Sequence, residues 1–138
     1  DKGLVFVDTN VLVYAFSDGQ DPKAAKARQC VEDLVMSDRL ATSTQVMQEL
    51  LVTLVKKKGV AMEGALSLIR RLALLPCFRV DVEAIEAAGM LSVEAKISFW
   101  DALVLTSARR LGAEQVCSED LNHGQRFGTL TVWNPFVV

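Results

Sequence analysis

Four carboxylates interrupt apolar stretches of this chain. Asp8 ends the run VFVD. Glu49 lies within STQVMQELLVTLVKKKG, Asp101 within ISFWDALVLTSARRLG, and Asp120 within Ser118-Glu119-Asp120. Carboxylates crowded into weakly polar surroundings repel one another and take up protons unless something positive compensates. No Lys or Arg stands beside Asp8, and Arg109 and Arg110 come two turns after Asp101. A divalent cation would supply the missing charge, and hard oxygen donors select Mg²⁺ or Mn²⁺ over zinc. Such an ion activates water and stabilises the leaving oxygen of a phosphodiester, so hydrolysis needs no protein nucleophile. Each acid also has a plainer role open to it. Asp8 can cap a following helix, and Asp101 completes a capping box begun at Ser98. Glu49 can face solvent, and Asp120 can be an ordinary turn residue.

The elements that would carry these acids alternate between strand and helix. Apolar runs predict strands at 4–7, 40–42, 78–80, 115–117 and 129–133. Helical spacing of apolar residues predicts helices at about 10–16, 22–37, 44–58, 61–75, 82–95 and 99–111. Pro22 suits the first position of its helix, after loop residues Asp18 to Asp21. Lys56, Lys57, Lys58 and Gly59 match the favoured chemistry of a helix end. Strands separated by helices predict a parallel sheet covered on both faces. Ligands of such sheets gather at the carboxyl ends of the strands, and Asp8 and Asp120 both follow strands there.

Composition narrows the function classes. The chain has 138 residues, 51% of them hydrophobic, enough for one domain with a real core. Seventeen acids against 15 bases give a net charge of −2, without the broad basic surface of a strong nucleic-acid binder. A carboxylate cluster neutralised by metal would still hide a locally basic rim. No apolar run approaches the ~18 residues of a membrane span, and no signal peptide is visible. Cys30, Cys77 and Cys117 are expected to be free thiols, which suits a reducing cytosol. His123 is the only histidine, which argues against a His-rich metal site or a Ser-His-Asp triad. Neither GxGxxG nor GxxxxGK[ST] occurs, so no glycine-rich phosphate cradle is expected.

VFVDTNVLVY, the Glu of QEL, FWDALV and SEDLNHGQ, in that order, resemble the acidic motifs of the PIN-domain nucleases. Within these, the resemblance is to the VapC-like toxins of bacterial toxin–antitoxin pairs. It covers nearly the whole chain, through VWNPF. It implies an α/β fold: a three-layer α/β/α sandwich around a mainly parallel sheet of about five strands, forming one nuclease domain over 1–138. The implied activity is Mg²⁺- or Mn²⁺-dependent endoribonuclease, with one or two ions, leaving a 5′-phosphate and a 3′-hydroxyl. The implied setting is a cytoplasmic homodimer, with no membrane association, inhibited by an antitoxin whose tail occupies the active-site groove. Asp8, Glu49, Asp101 and Asp120 match the family's acidic positions and are the implied catalytic and metal-binding residues. Thr9 and Asn10 match its first-motif polar residues, and Ser118 stands where Thr or Ser is usual. Glu119 is adjacent to Asp120, and Asn122 replaces an acid common in relatives, so the last ligand is Asp120 or Glu119.

Lys56, Lys57, Lys58, Arg109 and Arg110 are the cations available to position RNA phosphates. They also suit solvated helix ends. Phe99 and Trp100 could stack on bases, although packing in the core or a dimer face is the simpler use of them. His123 in NHGQ could touch substrate. Two other functions fit the same scaffold. A non-catalytic RNA- or protein-binding domain has no need of four acids. An aspartate-based phosphatase resembles D-x-D-x-[TV], whereas Asn10 stands two after Asp8.

Overall fold

A computed structural model describes residues 3–17 and 19–137. Asp18, expected in the loop before Pro22, lies outside the described residues. The first strand, β1 (Val5–Val7), is wholly buried and lies inside the sheet. Next come helices α1 (Thr9–Phe16) and α2 (Pro22–Met36), strand β2 (Leu40–Ser43), and helices α3 (Thr44–Lys56) and α4 (Met62–Leu72). The chain continues through β3 (Cys77–Phe78), α5 (Val82–Ala95), α6 (Phe99–Arg110), β4 (Gln115–Cys117), β5 (Arg126–Phe127) and β6 (Leu130–Trp133).

The strand order is β3-β2-β1-β4-β6-β5. Every pairing is parallel except that of β5 with β6. From β1 the chain moves outward through β2 to β3, and then returns across the sheet to β4. Right-handed crossovers therefore place α1 to α4 on one face and α5 and α6 on the other. The contacts agree: α1 packs on α2 and α3, α3 on α4, and α5 on α6. The direction reverses between β1 and β4, so a crevice opens at their carboxyl ends.

Local chemistry sets the helix boundaries. Asp21 accepts from Lys23 N and Pro22 begins α2; Ser43 caps α3, Asp81 caps α5 and Ser98 caps α6. Helix α6 is buried from Ala102 to Ala108. Its two hydroxyls are satisfied within the helix, with Thr106 donating to Ala102 O and Ser107 to Leu103 O, both at 2.8 Å. The main core combines β1, the inner faces of α1 to α4 and the sheet side of α6; a smaller cluster of Ala84, Ala88, Ala102 and Leu103 seals α5 to α6.

The expected architecture holds, with three corrections. The sheet has six strands, not five, because Arg126 and Phe127 pair antiparallel with Thr131 and Leu130. A two-residue strand is too short to show alternation. The third strand is Cys77–Phe78 rather than 78–80: Thr42 N donates to Pro76 O, which draws the pairing upstream. The fourth helix stops at Leu72, and a turn carries the chain to Pro76. All three cysteines are free; Cys30 and Cys117 are buried, with their sulfurs 3.7 Å apart, and Cys77 is half-buried.

Candidate active site

Strands β1 and β4 are parallel neighbours in which Val7 pairs with Cys117. Asp8 and Ser118 therefore leave the sheet side by side. Asp8 N donates to Cys117 O at 2.9 Å, and Ser118 N donates to Trp133 O at 3.0 Å. The Asp8 carboxylate is 5% exposed. Its Oδ1 accepts from Thr9 N at 2.7 Å and its Oδ2 from Ser118 Oγ at 2.9 Å. Asp8 thus caps α1 and also faces the crevice.

Ser118 Oγ has three partners. Besides donating to Asp8, it accepts from Asp120 N at 3.1 Å and Asn10 Nδ2 at 3.3 Å. Asn10 Nδ2 also donates to Asp120 Oδ2 at 3.0 Å, while Asn10 Oδ1 accepts from Glu119 N at 3.2 Å. On the other side of Asp8, Thr9 Oγ1 donates to Glu49 Oε1 at 2.9 Å. Asp101 sits in the first turn of α6, where its N–H donates to Ser98 Oγ at 3.0 Å. Asp8, Glu49, Asp101, Glu119 and Asp120 all line one cavity of about 740 Å³.

Burial dominates the electrostatics of the site, and the neighbouring carboxylates add to it. Burial is the main cause that pushes the Asp8 carboxyl from 3.8 up to about 6. The Thr9 and Ser118 hydrogen bonds oppose the rise, and the charges of Asp120 and Glu49 add to it. Asp101 is also raised, mainly by partial burial, with Ser98 opposing and Asp120 adding. Among the described residues none of Asp8, Glu49, Asp101 and Asp120 has an ion-pair partner.

Glu119 differs. Its Oε2 pairs with Lys23 Nζ at 2.8 Å. Lys23 stands over the rings of Tyr14 and Phe136, at 5.6 and 5.4 Å from their centroids, and those rings meet edge-to-face. Lys23 was not singled out from the sequence; its place in the first turn of α2 carried no signal of a partner 96 residues away.

Of the expected phosphate-positioning cations, Lys57 and Lys58 line the cavity, whereas Lys56, Arg109 and Arg110 do not. Arg109 and Arg110 end α6, roughly 12 Å along the axis from Asp101. His123 also lies outside the cavity, where its Nδ1 accepts from Asn134 N at 3.0 Å. Tyr14, Gln45, Gln48, Val52 and Thr53 line it without having been anticipated. Gln45 and Gln48 share α3 with Glu49; Gln45 stands four residues before Glu49 and three before Gln48, and that helical spacing is the signal that could have found them.

The donors fit a hard divalent cation in type, since all are oxygens. They are not drawn into a closed cage: no group of three His, Cys, Asp or Glu side chains among the described residues stands ready to hold an ion. Mg²⁺ does not require one, because it keeps several waters and takes one or two carboxylates.

The chain matches the PIN domain family over residues 5–126. It belongs to that family. This PIN domain is 43% identical over 72 residues to Ribonuclease VapC23 of Mycobacterium tuberculosis, in two strains. The match spans 50% of the chain and 56% of VapC23, little more than half the length of those relatives. Among solved structures, the fold resembles VapC20 of Mycobacterium tuberculosis, a sarcin–ricin-loop-cleaving toxin, with TM-score 0.65 and 25% identity over 81% of this chain and 86% of that one. A toxin–antitoxin complex from Klebsiella pneumoniae superposes with TM-score 0.71 at 19% identity, over 97% of this chain and 99% of the other. VapBC2 of Rickettsia felis, bound to a promoter DNA fragment, gives TM-score 0.65 at 22% identity over 95% and 99%. At those identities the last two speak for the fold alone.

Proposed function

We propose that this PIN domain is a divalent-metal-dependent endoribonuclease and the toxin component of a type II toxin–antitoxin pair. The carrying observation is Asp8: a nearly buried carboxyl at the sheet's switch point, sharing one cavity with Glu49, Asp101 and Asp120, none of them ion-paired among the described residues. Asp8 and Asp101 would hold the principal Mg²⁺ or Mn²⁺, with Glu49 and Asp120 completing a site for one or two ions. When bound, the metal supplies Lewis-acid stabilisation of the phosphodiester and a more acidic water.

The chain's own residues do the positioning. Ser118 and Thr9 N–H hold the two Asp8 oxygens in a fixed orientation and favour the carboxylate form. Asn10 and Ser118 N-terminal to the acidic loop aim Asp120 at the cavity, and Thr9 aims Glu49. Lys57 and Lys58 line the cavity, which supports a role in meeting the backbone of the RNA. The Lys23–Glu119 pair supports Asp120 rather than Glu119 as the fourth ligand, because the cation already occupies Glu119. The setting proposed for this activity is cytoplasmic, with residues 1–138 acting as one domain, a homodimer, and an antitoxin partner. No helix among the described residues is long and apolar enough to cross a membrane.

The open spacing of the acids favours one competing function, a domain that binds RNA or protein without cutting. A phosphatase of the aspartate type gains nothing here, since Asn10 cannot act as the second acid and is engaged with residues 118 to 120. The deciding experiment compares wild type, Asp8→Asn and Asp101→Asn on structured RNAs with Mg²⁺, Mn²⁺ or EDTA. Cleavage by wild type alone, abolished by EDTA, is expected. Equal RNA loss in all samples overturns the assignment, and RNA binding without cleavage under either metal establishes the binding domain instead.

A further inference from the structure

Trp100 stands 59% exposed at the rim of the acidic cavity, one residue before Asp101. A core position would have removed that indole from water. Phe99 takes the packing role instead, half-buried against the cluster that joins α5 to α6. The two rings meet edge-to-face, 5.2 Å between centroids, so Phe99 buttresses the indole. The Trp100 backbone is held as well, since Gln45 Nε2 donates to its carbonyl at 3.4 Å.

Gln45 adds an independent observation. It is 5% exposed and lines the same cavity, and its Oε1 has no hydrogen-bond partner among the described residues. A buried acceptor left unpaired is costly and marks a place where a donor is missing. Gln48 and Val52, one turn apart on α3, line the cavity as well, and Val52 is exposed.

We infer that Trp100 is the platform of a nucleobase subsite: an unpaired RNA base stacks on the indole beside the acids, while Gln45 holds the backbone of that platform through the Trp100 carbonyl. This deepens the nuclease proposal and rests on it. The physical need is clear in a chain of net charge −2 whose cavity carries five carboxylates. Coulomb attraction supplies most non-specific affinity for nucleic acid, and here it is weak. Stacking needs no positive charge and accepts any base, because every base has a π-face.

The test uses two readouts. The chain has two tryptophans, so Trp133→Phe combined with Asp8→Asn leaves Trp100 as the only indole in a protein that does not cut. Its fluorescence should be quenched by a single-stranded RNA octamer and not by an octamer of the same backbone with abasic residues. In the cleaving chain, Trp100→Ala should raise KM about 5- to 150-fold, the range of one base stack, with kcat little changed and Trp100→Phe recovering most of the loss. Equal quenching by the abasic octamer, or wild-type KM in Trp100→Ala, overturns the subsite. So does emission that follows protein concentration and ignores RNA, which would show a second copy covering the indole. Asp8-dependent cleavage indifferent to Trp100 leaves the nuclease standing without the subsite. Base-dependent quenching in a chain that never cleaves upholds the subsite and removes the nuclease.

Discussion

Ser118 donates its hydroxyl to Asp8 Oδ2 at 2.9 Å, joining residues 110 positions apart at the ends of two adjacent parallel strands. That bond is one of two forces that hold the Asp8 carboxyl down against burial. Ser118→Ala removes it together with the acceptor used by Asp120 N and Asn10. The Asp8 carboxyl then rises further, so the acidic limb of the cleavage rate against pH moves towards higher pH. Removing such an outer partner costs metal affinity or activity on the order of 10- to 100-fold. A pH–rate profile with a titration of Mn²⁺ checks both, and an unmoved acidic limb would refute the role.

Asp8 also makes the metal-free fold pH-dependent. Its carboxyl titrates at about 6 in the fold and near 3.8 when unfolded. The folded chain therefore holds the proton more tightly between those values, and stability falls as pH rises from 3.8 to 6. Above pH 6 the full penalty applies, at most about 3 kcal/mol at 1.36 kcal/mol per unit. Asp8→Asn should thus unfold at a higher temperature than wild type at pH 8 without metal, with the gap closing by pH 4. Mn²⁺ at pH 8 should raise the wild-type midpoint and leave Asp8→Asn unmoved. Thermal denaturation with and without EDTA reads these directly; a wild type more stable than Asp8→Asn in EDTA at pH 8 would contradict the burial penalty.

Glu119 and Asp120 are neighbours with different partners. Lys23 pairs with Glu119, while Asn10 holds Asp120. Glu119→Gln should cleave within about threefold of wild type, whereas Asp120→Asn should lose about 100-fold, the upper end for a disturbed metal site. Steady-state rates at saturating Mn²⁺ separate the two, and the reverse ranking would make Glu119 the ligand.

Lys57 and Lys58 line the cavity, whereas Arg109 and Arg110 end α6 away from it. The double variant Lys57→Ala, Lys58→Ala should raise KM and flatten the dependence of binding on salt by up to about 0.7 in slope per lost contact on single strands. Arg109→Ala, Arg110→Ala should change neither. Binding isotherms across a salt series distinguish them.

Much of the fold was legible because its signals are local. Helix caps such as Ser43, Asp81 and Ser98 act within three residues, and apolar runs such as 4–7 announce a buried strand. What escaped had no local signal: the two-residue β5, the upstream pairing of β3, and Lys23, whose partner is remote in sequence. Phe99 and Trp100 are adjacent and alike in type, yet one packs and the other faces the cavity. Helical rotation separates neighbours by about 100°, and only the placement of α5 and α3 around α6 decides which side is open.

By itself the sequence determined the alternation of strands and helices, and the four acids that interrupt apolar elements. Periodicity and capping are properties of neighbouring residues, so these survive without any knowledge of contacts. The tertiary structure alone decided that β1 and β4 are adjacent, with Val7 opposite Cys117. That register brings Asp8 and Ser118 together and, through Asn10, sets Asp120 beside them while Lys23 draws Glu119 aside. The reason is that strand order is set by crossovers and by the burial of whole faces. Interactions between residues about 110 positions apart appear only once that burial has chosen which strand ends meet.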